Sequence, residues 1–279
     1  MSKVYIKKII SSENELKFIK MDLIESEGVV DKIILVDANH THSGLRREYL
    51  NNNLFNKIFS KKELERIVHL KIDITRNVKK NTLNPSNLHF NERIIRGAFQ
   101  FEIELEDDDI IFSLDADEVL YRKTYSSIVE KIKSYEKAYL IRLHNLIYRP
   151  DYLWSDLNFI APTACRVKFY KSFKMKLKSR FKKYKQWRYH GELYKETGGV
   201  HFNWHLTPKE MVEKINNYAH KDLFYNKNLD EKYFANLIKE KKYIDSSKKI
   251  KIEEIEFGNE QYLPKSFYKH KSLFEYLLK

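Results

Sequence analysis

The sequence is short of the residues that staple, break or loosen a chain: one cysteine, five prolines and seven glycines in 279 residues. A lone Cys165 excludes a disulfide framework and any metal site built from cysteines, and it fits a reducing compartment. Its apolar neighbours Ala164 and Val167 make it most simply a small core residue. So few breakers, beside 42% hydrophobic and 14% aromatic residues, exclude a collagen-like, low-complexity or disordered chain. No apolar run approaches the roughly 20 residues that cross a bilayer. The opening segment MSKVYIKKIISS lacks the apolar stretch of a secretory signal. A soluble cytoplasmic protein is the resulting expectation, with a length that allows one large or two smaller domains.

Charge of one sign is abundant. Fifty-two Lys and Arg against 39 Asp and Glu give a net +13, and nine of those basic residues lie between Lys171 and Arg188 with no acidic residue among them. Taking these nine from the net +13 leaves +4 for the other 261 residues. The basicity is therefore local. Phe173, Met175 and Leu177 alternate with Lys174, Lys176 and Lys178, a period of two that reads as a strand with a lysine face. Such a face can cradle phosphate or touch an anionic membrane surface, or it can simply keep an edge strand from pairing with another sheet. A nucleic-acid binder stacking Trp187 and Tyr184 on bases would use the same stretch. The confinement of charge to one segment speaks against nucleic acid as a partner.

Apolar periodicity sets out an α/β chain. Val4 to Ile10 reads as a strand, and Ser12 with Glu15 forms a capping box for a helix reaching about Glu27. Lys32 to Asp37 (KIILVD) and Asp109 to Leu114 (DIIFSL) are nearly unbroken apolar runs, as in parallel strands covered on both faces. Arg66 to Ile74 reads as another strand, and Asn91 to Glu104 and Tyr125 to Lys137 as helices. Ala138 to Tyr148 and Cys165 to Tyr170 are strand-like. Thr207, Pro208 and Glu210 open a helix reaching about Leu223, and the tail from Asp230 is charged and helical. The alternation predicts a single Rossmann-type domain with a mixed, mostly parallel sheet over residues 1–225, and a helical C-terminal extension over residues 226–279 packed on it.

Several residues could carry chemistry. DADE, Asp115 to Glu118, directly follows a buried strand, where open α/β sheets bind ligands. Asp115 and Asp117 alternate there, so both carboxylates can point the same way and hold a hard cation with positions open for phosphate oxygens. The bland alternative is a solvated acidic turn. Asp37, Asn39, Thr41, Ser43 and Gly44 follow the other buried strand and either face a nucleotide or form a capped turn. His40 and His42 read as exposed loop histidines. Arg93 and Arg96, on the helix entering the acidic strand, can grip a phosphate or the carboxylates themselves. GGVHFNWH places Gly198, Gly199, His201, Trp204 and His205 before a helix N-terminus; a metal-ligating imidazole competes with a histidine packed among aromatics. Glu192 of HGE is a base or a salt-bridge partner of nearby lysines.

Four stretches together resemble glycosyltransferase family 17: VDKIILVDANHTHSG (Val30 to Gly44), NERIIRGAF (Asn91 to Phe99), DDDIIFSLDADEV (Asp107 to Val119) and GGVHFNWHLTPKEMVEKI (Gly198 to Ile215). The resemblance implies a GT-A-like fold, a nucleotide-sugar donor such as a UDP-sugar, Mn²⁺ or Mg²⁺, and transfer with inversion to a hydroxyl of a glycan or lipid-linked acceptor. By position it implies Asp115, Asp117 and Glu118 as the metal and donor-phosphate cluster and His201 as the family histidine after the glycine pair, with Asp115, Asp117 and His201 as the metal ligands. It implies Asp37, Asn39, Thr41 and Gly44 as the nucleotide-side loop and Asn91, Arg93 and Arg96 as the polar helix beside it. Asp37, Ala38 and Val200 depart from residues common in animal members of the family, which bears on the sugar and acceptor and leaves the fold untouched. A single displacement also requires a base, for which Glu118 and Glu192 are the candidates. A nucleotidyltransferase would use similar carboxylates with two metals.

Overall fold

The computed structural model describes residues 2–80, 83–98, 103–157, 159–172, 191–217, 228–245 and 249–277. The chain opens with β1 (Val4–Ile10), buried along its whole length, and a short 3-10 turn feeds α1 (Leu16–Glu25). Glu15 accepts from the Ser12 N–H at 3.2 Å, the capping contact that the sequence foretells. β2 (Lys32–Ala38), α2 (Asn52–Ile58), α3 (Lys61–Leu64) and β3 (Ile67–Ile72) come next. α4 (Pro85–Ala98) precedes β4 (Ile110–Asp115), and the acidic turn separates β4 from β5 (Glu118–Leu120). The middle of the chain forms α5 (Arg122–Tyr135), β6 (Tyr139–Ile147), β7 (Tyr152–Trp154), β8 (Phe159–Arg166), α6 (Val167–Ser172) and β9 (Glu192–Asn203). α7 (Pro208–Asn217), α8 (Glu231–Lys239), β10 (Ile252–Glu254) and α9 (Lys265–Lys269) complete the order.

All ten strands belong to one sheet in the order β10-β7-β6-β8-β4-β1-β2-β3, with β9 beside β6 and β5 beside β9. β3, β2, β1 and β4 are parallel neighbours. β8 runs against β4 and β6, β7 against β6, and β5 against β9, while the remaining strands share one direction. The sheet is thus mixed and mostly parallel, in a single domain. Side chains alternate along β1 and β2: Ile6, Ile10, Ile33 and Leu35 pack with Leu16, Ile19 and Leu23 of α1 on one face. Tyr5, Ile9, Ile34 and Val36 pack with Ile94 and Ile95 of α4 on the other. Burial of both faces explains why these strands read as continuous apolar runs. Each such side chain contributes about 1.5–3 kcal/mol by leaving water.

Three expectations need correction. The strand expected over Cys165 to Tyr170 stops at Arg166 and turns into α6, because the Val167 and Lys168 N–H groups bond the Asp109 and Asp107 carbonyls at 2.8 and 2.9 Å and lead the chain off the sheet. The helix expected from Asn91 starts at Pro85, where the Asn84 side chain accepts from the Ser86 N–H at 2.9 Å. The tail is not wholly helical. β10 pairs antiparallel with β7, and Phe267 and Phe274 are fully buried with Phe18 and Phe202. Among the described residues no helix is long and apolar enough to cross a membrane. The lysine-faced strand expected at 173–178, with most of the 171–188 basic stretch, lies outside the described residues.

Candidate active site

β1 lies between β2 and β4, and its last residues stand level with two aspartates: Ile10 opposite Asp37 and Ile9 opposite Asp115. The two polar loops expected at one sheet edge are therefore side by side. They do different work. Asp37 is fully buried; it forms an ion pair with Arg47 and accepts from the Leu50 N–H, and His69 Nε2 lies 2.8 Å from its Oδ2. Asn39 donates to Asp73 and Thr75 at 2.8 and 3.1 Å and accepts from the Ile74 N–H. Thr41 Oγ1 accepts from the Leu45 N–H at 3.1 Å and lies 2.9 Å from Ser43 Oγ. Gly44 occupies the turn at φ +81°, a conformation that glycine adopts without cost. These side chains shape the loop from within, the capped-turn alternative of the sequence. His40 is buried, not exposed, with Nδ1 2.9 Å from Asn39 Oδ1. His42 likewise sits inward, where burial pushes its imidazole pKa down.

α4 supplies the second layer. Asn91 is fully buried and bridges the His42 and Lys79 carbonyls at 3.0 and 2.8 Å. Arg96 reaches Asp115 with both guanidinium arms, at 2.5 and 3.2 Å, and its Nε donates to Glu92 at 2.9 Å. Of the two uses open to these arginines, Arg96 takes the carboxylate. Arg93 is exposed. Asp115 is thus paired with an arginine at the sheet edge.

Asp117 occupies a different environment. Its Oδ1 lies 3.7 Å from His201 Nε2 and its Oδ2 lies 3.6 Å from Lys214 Nζ. Burial opposes ionisation, but the Lys214 ammonium and then His201 outweigh it and hold the carboxyl far below the usual carboxylate range. His201 comes from β9, opposite Glu118 of β5. The Phe159 ring stacks on it at 4.1 Å, and its buried Nδ1 has no hydrogen-bond partner among the described residues. Lys214 comes from α7, where Thr207 and Glu210 form the expected capping box: the Thr207 N–H donates to Glu210 at 2.6 Å and the Glu210 N–H to Thr207 at 3.3 Å. The ammonium lies 5.1 Å from the centre of the Trp204 ring.

The paired glycines serve packing. A Cβ on Gly199 would stand 2.3 Å from the Val119 carbonyl oxygen, and one on Gly198 would stand 2.5 Å from the Ile141 side chain. Close approach is to β5 and β6, not to a ligand. His205 is a core histidine: its Nδ1 lies 3.3 Å from the Asn203 carbonyl, and burial with Lys17 nearby pushes it down to about 3. Glu118 is fully buried and its carboxylate accepts from the Asp115 N–H at 2.6 Å, so it buttresses the acidic turn. Glu192 is exposed and pairs with Lys137 at 2.5 Å. Glu192 lies beside Tyr139 of β6 and His201 beside Asn145, six strand positions or roughly 20 Å apart, so the fold does not bring it to the carboxylates.

Among the described residues no group of three or more His, Cys, Asp and Glu is arranged to hold a metal. Asp117 and His201 form a pair. Sequence reasoning missed three lysines. Lys214 carries no local signal. Lys17 is driven down to about 8 by burial, and its Nζ bonds the His205 carbonyl and the Tyr276 hydroxyl at 3.1 and 2.6 Å. Lys8 is fully buried and donates to the Ala116 and Glu118 carbonyls at 3.1 and 2.5 Å. Two lysines inside VYIKKII were the legible sign, since a strand covered on both faces holds an ammonium only where it is paired.

Similar solved structures include S. aureus TarS (residues 1–349), at 10% identity and TM-score 0.41 over 83% of this chain and 68% of that one. The 4-diphosphocytidyl-2C-methyl-D-erythritol synthase from Anaerococcus prevotii is similar at 12% identity and TM-score 0.33 over 71% and 89%. No curated protein matches the chain. The sequence model of glycosyltransferase family 17 matches residues 2–245, a span that holds the sheet edge, Asp115, Asp117, His201 and Lys214. The chain belongs to glycosyltransferase family 17 and is a glycosyltransferase.

Proposed function

We propose that the protein transfers a sugar, with inversion, from a UDP-sugar type donor to a hydroxyl of a glycan or lipid-linked acceptor, and that a divalent cation assists. The observation that carries this reading is the Asp117 carboxylate, held ionised at the sheet edge between His201 and Lys214. Asp117 Oδ1 and His201 Nε2, 3.7 Å apart, offer an oxygen and an imidazole nitrogen, a donor set that suits Mn²⁺ or Mg²⁺ with the remaining positions left to diphosphate oxygens and water. Such a cation, when bound, supplies Lewis-acid charge to the departing diphosphate. Asp115, whose oxygens are paired with Arg96, is the weaker candidate for the same role.

Lys214 adds positive charge beside the same diphosphate position, with its ammonium over the Trp204 ring. The base needed for inversion must reach the acceptor hydroxyl; Glu118 is enclosed and Glu192 is remote. Burial pushes the Glu15 carboxyl up, with Lys214 and Asp117 in its field, but its oxygens are engaged by Ser11 and Ser12 at the start of α1. A nucleotidyl transfer with two cations would need a second available carboxylate beside Asp117, and the Arg96 pairing of Asp115 counts against it. Hydrolysis of a panel of UDP- and GDP-sugars with Mn²⁺ tests the proposal. Metal-dependent release of UDP from one sugar nucleotide is expected. Release of pyrophosphate from a nucleoside triphosphate, with every sugar nucleotide left intact, would replace it with nucleotidyl transfer.

A further inference from the structure

The acidic turn is gripped from below by a residue outside the charge cluster described above. Lys8 lies in β1 with a side-chain exposure of 0%, and its ammonium has three donors and no acceptor. All three directions are used: the Ala116 carbonyl at 3.1 Å, the Glu118 carbonyl at 2.5 Å, and an ion pair with Asp22 of α1. Asp22 in turn accepts from the Tyr125 hydroxyl at 3.0 Å. The carbonyl between the two gripped ones, that of Asp117, accepts from the Phe202 N–H of β9 at 2.8 Å. Three successive peptide oxygens of the turn are therefore fixed from two sides. The side chain projecting from the middle of that stretch is Asp117.

We infer that Lys8 is a positioning residue for sugar transfer: its ammonium fixes the 116–118 backbone so that the Asp117 carboxylate meets His201 and Lys214. The inference rests on the function proposed above. An apolar side chain in the same space would leave two buried carbonyls without donors, and the turn would relax to find others. Displacement of a catalytic group by about 1 Å is enough to cost roughly a hundredfold in rate. Asp22 has a different task, which is to balance the buried charge.

The two tasks can be separated. Lys8→Met alone strands the Asp22 carboxylate and destabilises the fold, whereas Lys8→Met with Asp22→Asn removes both charges. For the double variant we expect a Tm within a few degrees of the native protein, amide exchange at residues 116–119 accelerated at least tenfold, and sugar-nucleotide hydrolysis slowed at least tenfold in kcat. Asp22→Asn alone keeps the ammonium on its carbonyls and should keep both native exchange in the turn and kcat within about twofold, measured well below its Tm. A double variant with native exchange and native turnover overturns the inference. So does Asp22→Asn if it loses turn protection and turnover together, a result that decides the matter even where the double variant does not fold. A native protein that hydrolyses no sugar nucleotide overturns the proposed function instead, and the exchange measurements still test the clamp.

Discussion

Asp115 and Asp117 stand two positions apart in sequence and in quite different surroundings. The strand places both at the sheet edge, but Arg96 engages the first and leaves the second to His201 and Lys214. Asp117→Ala should therefore lower kcat for sugar-nucleotide hydrolysis by about a hundredfold to a thousandfold, as loss of a preorganised charge does, with a Tm near the native value. Near-native turnover would remove Asp117 from the mechanism. His205 gives a pH prediction. Its imidazole titrates at about 3 in the folded chain, below its ordinary 6.5, so the native state binds fewer protons than the unfolded one between those values. The stability it lends is complete above pH 6.5 and is lost as pH falls toward 3, by up to about 4 kcal/mol. Urea midpoints of the native protein should fall between pH 6.5 and 4 more steeply than those of His205→Leu; parallel slopes would refute the assignment. At this scale the carboxylates were legible, because their position after buried strands is a local property, whereas His201 lies inside β9 and was singled out by the GGVHFNWH stretch around it. Lys214, Lys17 and the grip of Lys8 were not, because their partners come from distant parts of the chain.

At the scale of elements, strands buried on both faces were the most readable. KIILVD and DIIFSL became β2 and β4 with boundaries shifted by about one residue. α4 was recognised late because its Asn84-Pro85 start lies ahead of the apolar pattern, although a capping residue followed by proline is itself a start signal. α6 could not be read from Val167 to Tyr170, which favour strand, since contacts with Asp107 and Asp109 decide its course. β9 makes the most demanding use of a sequence feature. It runs between β5 and β6, and its glycine pair lets the backbone pass against Val119 and Leu120. Gly199→Ala should destabilise the protein by about 3 kcal/mol through overpacking against backbone. Equilibrium denaturation measures this, and a loss below about 0.5 kcal/mol would show that β5 and β9 separate easily.

Over the whole molecule, the described residues beyond 225 pack on the domain that precedes them. β10 extends the sheet, Ser266 N–H bonds Glu25 at 2.7 Å, and the Phe274 ring packs 5.8 Å from Phe18 and 5.7 Å from Phe202. Charge and helical periodicity described the tail's surface, but the aromatics that anchor it act at long range. Truncation after residue 249 should expose Phe18 and Phe202 and yield a chain that aggregates or is cleaved rapidly by protease. A soluble truncated protein with a cooperative melt would show that the tail is separable.

The meeting of α1 with Phe267 and Phe274 also orders events during synthesis. α1 leaves the ribosome well before Phe267 and Phe274, since the residues that complete the cover of Phe18 are made some 250 positions later. Until then that surface has only part of its native cover, and contacts of such long sequence separation form slowly. Nascent chains should engage chaperones through α1 until Phe267 and Phe274 arrive.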